Sequence, residues 1–198
     1  PFEWGCDIVT HSTTKYMDGH GAGVGGCIVD SGKFDWEQND KFPGLTTPDE
    51  SYHGLTYTKD FGEAAYITKA TAQLMRDLGS IPAANNAWLV NLGLETLHLR
   101  MPRHCENAKK VAEYLKNNEK ITWVKCAMLE DDPQHEIAMK YMPNGTCGVV
   151  SFGIKGGREA ATVFMDSLKL AAIVTHVADA RTCCLHPAST THLSLIHI

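Results

Sequence analysis

The sequence predicts an α/β protein, and three features of the chain lead to this fold class. Two short apolar segments, at 8–9 and 27–29, flank a polar, glycine-rich centre, which is typical of a strand, a loop and a second strand. Apolar residues then recur at helical spacing between 67 and 115. Beyond 120, helix and strand patterns alternate, as they do in a small α/β domain.

The composition is that of a globular chain with a substantial core, since 43% of its 198 residues are hydrophobic. The net charge of −5, without any basic run, argues against a nucleic-acid partner, so we expect small metabolites as partners. No apolar run is long enough to span a membrane and the start has no signal-peptide pattern, which predicts a cytoplasmic protein. The seven cysteines lack the paired spacing of a zinc site, so we expect reduced thiols and no metal.

The first strand leads into a loop in which hydroxyl side chains precede a single lysine, Lys15, and glycines follow it. Glycines let the backbone approach a ligand closely, and hydroxyls with free N–H groups can cradle a phosphate. A lysine amine that loses its proton attacks an aldehyde. The hypothesis is therefore a Schiff-base lysine for pyridoxal phosphate, with a solvated charge as the alternative. Nucleotide binding is the poorer hypothesis, because neither a Walker nor a dinucleotide pattern is present.

A long ordered connection is expected from Val29 to Phe61, where aromatic residues, glycine and proline mix without a helical period. Within it His53 and Tyr57 could reach a ligand, although a structural role is favoured for both.

Three helices are then predicted. The first carries Ile67 to Leu78 and stops at Gly79 and Pro82. The second spans Asn85 to Arg100 and is interrupted by Pro102. The third follows from Ala108 to Leu115. Their apolar stripes are interpreted as core or subunit packing.

The remaining segments predict a small domain. Strands are expected at 121–124, 148–154 and 171–175, with a short helix after Asp132-Pro133 and an amphipathic helix after Gly156-Gly157. The polar stretch from Asp179 to His192 is either a ligand-facing loop or a plain surface loop. Its two histidines lack an obvious metal-binding geometry.

Two motifs together resemble the Cys/Met-metabolism pyridoxal-phosphate enzymes: Asp7 to Tyr16 with Gly19-His20-Gly21, and His186 to His192. Further segments resemble the O-acetylhomoserine sulfhydrylase branch of that family, namely 28–36, 48–54, 94–101 and 152–160. The similarity extends over nearly the whole chain.

The resemblance implies the end of a fold-type-I pyridoxal-phosphate transferase large domain at 1–100, followed by most of a smaller α/β C-terminal domain at 101–192. It also implies a chain truncated at both ends, with 193–198 as a non-native tail, and a homotetramer for the full-length enzyme.

For the site, the resemblance implies that Lys15 carries pyridoxal phosphate and moves protons, while Ser12 and Thr14 hold its phosphate. His176 stands where the family has a Ser or Asn that contacts the substrate carboxylate, so it is a candidate substrate-binding residue. Ala178 replaces a glycine that is expected to need an unusual backbone conformation.

The implied reaction is γ-replacement, in which acetate leaves O-acetylhomoserine and sulfide or a thiol adds at Cγ to give homocysteine or methionine. Cystathionine γ-synthase and methionine γ-lyase activities are the alternatives on the same scaffold. A non-enzymatic alternative is an inactive orphan fragment. For this chain alone we expect weak cofactor retention and negligible turnover, because the family's ring-holding groups would precede Pro1.

Overall fold

The computed structural model describes residues 1–191, so His192 and the expected non-native tail at 193–198 lie outside the described residues. The chain divides into two compact units. The first unit comprises residues 1–13 and 24–87, and the second comprises 14–23 and the residues from 88 onward. The predicted domain boundary at 100/101 falls inside one continuous helix, and it stays a prediction.

The first unit contains the predicted pair of strands. Strand β1, Ile8–Ser12, is antiparallel to strand β2, Gly26–Asp30, with Ile8 opposite Asp30 and Ser12 opposite Gly26. The loop between them starts with a hydrogen bond from the Thr13 N–H to the Gly25 carbonyl at 3.0 Å. The predicted strand, loop and strand are thus confirmed.

The connection after β2 is ordered, as expected, but it contains short helices that the missing helical period did not indicate. These are α1, Pro43–Thr46, and α2, Tyr57–Phe61. The predicted helix after Gly62 is present as α3, Ala65–Lys69, a wider turn at 70–75 and α4, Arg76–Leu78. Gly79 ends it with φ at +68°, a conformation that glycine adopts without steric cost.

Aromatic residues of the connection form the core of the first unit. Tyr57 and Ala65 are fully buried, and Leu45 is buried beside them. The residues packed around them are Trp36, Tyr52, Phe61 and Tyr66. The Tyr57 hydroxyl donates to Asp49 at 3.1 Å, and His53 lies in a tight turn with φ at +61°. These positions support the structural role favoured for both residues.

The predicted break at Pro102 is wrong, because helix α5 runs without interruption from Ala84 to Lys116. A proline inside a helix removes one hydrogen bond and crowds the carbonyl four residues earlier. Both Pro102 and His98 are exposed, so the freed His98 carbonyl can bond to water. Beyond Pro102 the helix buries Cys105, Ala108 and Ala112, and this packing stabilises the second half of the helix.

The predicted apolar stripe at the start of α5 does not lie in the core of this chain. Trp88 is 58% exposed and Leu99 is 65% exposed. Gly93 is instead the buried residue of that half. Packing against another subunit was the alternative, and it stays a prediction.

The predicted small-domain elements of the second unit are present, and the strands predicted at 148–154 and 171–175 are shorter than expected. Strand β3, Ile121–Lys125, pairs antiparallel with β4, Ser151–Ile154. Helices α6, His135–Tyr141, and α7, Gly157–Asp166, follow β3 and β4 respectively. The two-residue strands β5, Ala172–Ile173, and β6, Cys183–Cys184, are parallel. The core of this unit consists of Cys105, Ala108, Ala112, Cys126, Met128 and Leu129.

Candidate active site

Lys15 lies in a single helical turn, Thr13–Met17, directly after β1. The backbone leaves helical geometry at Lys15, with φ −92° and ψ −128°. Its carbonyl accepts a hydrogen bond from the Gly19 N–H at 2.8 Å. The side chain is half-buried, and within the described residues its ammonium makes no hydrogen bond or ion pair. The amine is therefore available for a ligand.

Tyr16 anchors this turn to the rest of the second unit. Its hydroxyl accepts a hydrogen bond from the Gly148 N–H at 2.8 Å, and its ring meets the His104 ring edge-on at 5.3 Å. Burial raises the pKa of Tyr16, and burial also lowers the pKa of His104. Both groups are therefore neutral at physiological pH.

The two predicted phosphate-binding hydroxyls lie just before Lys15 in the chain. Ser12 is exposed at the end of β1, opposite Gly26, and belongs to the first unit. Thr14 is half-buried and belongs to the second unit with Lys15. The grouping of Ser12, Thr14 and Lys15 around one phosphate stays a prediction.

The segment 176–181 lies against the loop that follows Lys15. The Ala180 N–H donates to the Gly19 carbonyl at 2.7 Å, and Arg181 Nη2 donates to the His20 carbonyl at 3.2 Å. A β-carbon added at Gly21 would lie 3.2 Å from Asp179 Oδ2 and 3.4 Å from His176 Nε2. The structure therefore places His176 beside the loop that begins at Lys15.

Asp179 is the charged centre of this contact. Its side chain is 2% exposed, and it accepts hydrogen bonds from Arg181 Nε at 3.0 Å and from Arg181 Nη2 at 2.9 Å. Hydrogen bonding to Arg181 lowers the Asp179 pKa to about 2. His176 Nε2 lies 3.7 Å from Asp179 Oδ2, and this nitrogen is buried without a hydrogen-bond partner in the described residues. A buried unpaired nitrogen can accept or donate to a ligand.

We expect Asp179 to contribute an acid-sensitive part of the stability. Because its folded pKa is depressed to about 2 from 3.8, the contribution is complete above pH 4 and is lost as the pH falls from 4 to 2. We expect about 1–2 kcal/mol, less than the full shift implies, because water screens the exposed Arg181. The measurement is urea unfolding at several pH values, with Asp179→Asn for comparison. A stability difference between the two proteins that is constant from pH 5 to 2 would contradict this assignment.

The unusual backbone expected at Ala178 is observed, with φ at +69°. An L-residue in this region costs roughly 1–2 kcal/mol, and glycine does not incur that cost. Ala178→Gly should therefore stabilise the chain by about 1 kcal/mol, measured by thermal unfolding. The matched control is Ala180→Gly, whose site has no positive φ and which should be neutral or destabilising. Equal effects of the two substitutions would refute the conformational explanation.

The sequence did not single out Tyr16 as a site residue, although Tyr16 ends the quoted motif Asp7 to Tyr16. The polar stretch that begins at Asp179 contacts the loop after Lys15 through Arg181 and His20, and the ligand-facing interpretation of this stretch stays a prediction. His186 is held locally by Ser189, whose Oγ lies 2.9 Å from Nδ1. Within residues 1–191 no cluster of three or more metal-ligating side chains is present, and no helix there has the length and apolar character needed to cross a bilayer.

Comparison with known proteins gives a family match over almost the entire chain. The model of the Cys/Met metabolism PLP-dependent enzyme family matches residues 1–197. The homocysteine synthase of Schizosaccharomyces pombe is 46% identical over 196 residues, which are 98% of this chain and 46% of that protein. The O-acetyl-L-homoserine sulfhydrylase 1 of Thermus thermophilus is 46% identical over 195 residues, with the same two coverages. The chain thus spans about half the length of these relatives.

Solved structures show the same relationship. This chain superposes on a Campylobacter jejuni protein with a TM-score of 0.90 at 35% identity. That protein is described as an O-acetylhomoserine (thiol)-lyase and contains a pyridoxyl-lysine phosphate. The match covers 98% of this chain and 46% of that one. A cystathionine γ-synthase from Xanthomonas oryzae has a TM-score of 0.73 at 28% identity, covering 98% and 42% of the two chains. The fold is therefore that of half of such an enzyme.

Proposed function

The chain belongs to the Cys/Met-metabolism pyridoxal-phosphate-dependent enzyme family, and on that premise we propose that it is part of a γ-replacing transferase. The proposed substrates are O-acetylhomoserine and sulfide or a small thiol, and the products are homocysteine or methionine and acetate. The names of the S. pombe and T. thermophilus relatives support this choice. Because the chain spans 46% of their length, the activity is assigned to a protein of that full length.

The Lys15 segment is the observation that carries the proposal. Pyridoxal phosphate needs an amine for its aldehyde and hydrogen-bond donors for its phosphate. Lys15 supplies a half-buried amine without a partner in the described residues, and the Ser12 and Thr14 hydroxyls precede it. His176 adds a buried nitrogen that lacks a hydrogen bond within residues 1–191. The residues present therefore fit the cofactor.

Each residue has a distinct role in the proposed reaction. When bound, pyridoxal phosphate supplies an electron sink that makes the protons of the amino-acid substrate acidic. The Lys15 amine removes the proton from the substrate Cα and then transfers protons at Cβ, which permits acetate to leave Cγ. The Ser12 and Thr14 hydroxyls donate to phosphate oxygens. His176 Nε2, which lies 3.7 Å from Asp179 Oδ2, donates to the substrate carboxylate.

The same proposal includes a cytoplasmic location and a homotetramer, both predicted from the sequence and its resemblance. It also includes little cofactor retention or turnover by the 198 residues alone. The non-enzymatic alternative predicts that a full-length protein carrying this chain is inactive as well.

A substrate panel tests the activity. A full-length protein carrying this chain and the 198-residue chain are each assayed with O-acetylhomoserine plus sulfide, O-succinylhomoserine plus cysteine, and methionine alone. We expect the full-length protein to use the first pair at least about 10-fold faster than the others. Preference for the succinyl ester would indicate a cystathionine γ-synthase, and release of a keto acid from methionine would indicate a γ-lyase. Robust turnover by the 198 residues would overturn the expected inactivity of that chain.

A further inference from the structure

Helix α5 packs closely against the backbone of Met17 and Asp18, and Gly93 of the helix permits this close approach. A β-carbon added at Gly93 would lie 2.3 Å from the Met17 carbonyl oxygen and 2.4 Å from the Asp18 carbonyl oxygen. Both distances are far below van der Waals contact, so no larger residue is compatible with the observed packing. Gly93 is buried, as are Asp18 and Gly19.

One side chain of the same helix then binds this backbone. Arg100 Nη1 donates to the Tyr16 carbonyl at 2.9 Å, and Nη2 donates to the Gly93 carbonyl at 2.7 Å and to the Met17 carbonyl at 3.4 Å. The guanidinium thus joins the helix to the carbonyls of the two residues that follow Lys15. Such hydrogen bonds from a charged donor are stronger than neutral ones.

The guanidinium is itself held in place. Arg100 Nε donates to Thr96 Oγ1 one helical turn earlier, at 3.0 Å. On its other side, a β-carbon at Gly19 would lie 2.3 Å from Arg100 Nη1, so the group fits closely against a glycine. Neighbouring groups therefore fix the position of the Arg100 guanidinium and the direction of its N–H groups.

We propose that Arg100 is a positioning residue, which fixes the peptide groups of Tyr16 and Met17 over Gly93 and thereby sets the direction of the Lys15 amine. The inference rests on the proposed function of Lys15. The direction of a Cα–Cβ bond follows from the backbone on both sides of the residue, and a displacement of about 1 Å at a reacting group can cost about 100-fold in rate. A lysine cannot replace this arginine, because an ammonium lacks the planar fork that spans separate carbonyls.

Two readouts on a full-length protein carrying this chain test the inference. The first is hydrogen exchange of the amides at 16–19, which needs no cofactor. The second is the share of borohydride-trapped pyridoxal phosphate found on Lys15 relative to all other lysines, measured by peptide mass spectrometry. The variants are Arg100→Lys, which keeps the charge, and Gly93→Ala, which keeps Arg100 but obstructs the backbone. The control is Arg103→Ala, since Arg103 is exposed on the same helix and pairs only with Glu106 among the described residues.

We expect Arg100→Lys and Gly93→Ala to raise exchange at 16–19 at least about 10-fold and to lower the Lys15 share at least about 10-fold. Exchange in the 105–116 part of α5 should not change. A merely structural role would raise exchange throughout the second unit and leave the Lys15 share intact, which would overturn the proposal. The proposal would also be overturned if Arg100→Lys and Gly93→Ala gave the same results as Arg103→Ala in both readouts.

The outcome also separates this inference from the proposed function. If the unaltered full-length protein shows no preference for Lys15, the proposed cofactor linkage fails. The exchange readout then still decides whether Arg100 holds the backbone after Lys15.

Discussion

Replacing Lys15 with alanine should abolish covalent attachment of pyridoxal phosphate and lower the γ-replacement rate of the full-length protein by at least about 1,000-fold. The reason is that one amine has two roles in the proposed reaction, the covalent linkage and the proton transfers at Cα and Cβ. No second lysine can take its place in the segment 7–30, where Lys15 is the only one.

The measurement uses the visible absorbance band of lysine-bound pyridoxal phosphate, together with the rate of homocysteine formation. Lys109→Ala serves as the matched control, because Lys109 is an exposed lysine of α5. It should leave both the band and the rate within about twofold of the unaltered protein. A band that survives in Lys15→Ala would show that another amine carries the cofactor.

Replacing Tyr57 with alanine should cost about 3–5 kcal/mol of stability, the range for truncating a large buried aromatic side chain. Tyr57 is 0% exposed, and its ring packs between Tyr52 and Phe61, with centroids 6.3 and 6.0 Å away. Lys69 Nζ lies 4.7 Å from the ring centroid and 3.3 Å from Asp49. The substitution therefore removes the centre of the core of the first unit and leaves a cavity.

Urea unfolding followed by tryptophan fluorescence measures this loss, since Trp36 packs against the same cluster. Tyr57→Phe is the control, which removes only the hydroxyl that donates to Asp49 and should cost about 1 kcal/mol. Asp49 keeps its hydrogen bonds to Ser51 and Lys69 in that variant. A loss below 1 kcal/mol for Tyr57→Ala would contradict a central role for this residue.

Local patterns predicted those parts of the fold that depend on neighbouring residues. The two short apolar segments at 8–9 and 27–29 predicted both strands of the β1–β2 pair, and Gly79 predicted the end of the helix before it. The glycine replaced by Ala178 was expected to need an unusual conformation, and the backbone has φ at +69° there. The same local reasoning failed at Pro102, because the packing of Cys105, Ala108 and Ala112 outweighs the lost hydrogen bond.

The sequence by itself determined the fold class, the family and the candidate lysine, since these follow from periodicity, from residue types and from motifs of consecutive residues. Only the tertiary structure showed how Lys15 is supported. Arg100 and Tyr16 are 84 positions apart, and Arg181 and His20 are 161 positions apart. Contacts over such separations depend on how helices and loops pack, and packing is not encoded in any single stretch of the chain. For the same reason the sequence around Gly93 did not indicate a role for this glycine. In the structure, the backbone of Met17 and Asp18 lies directly against it.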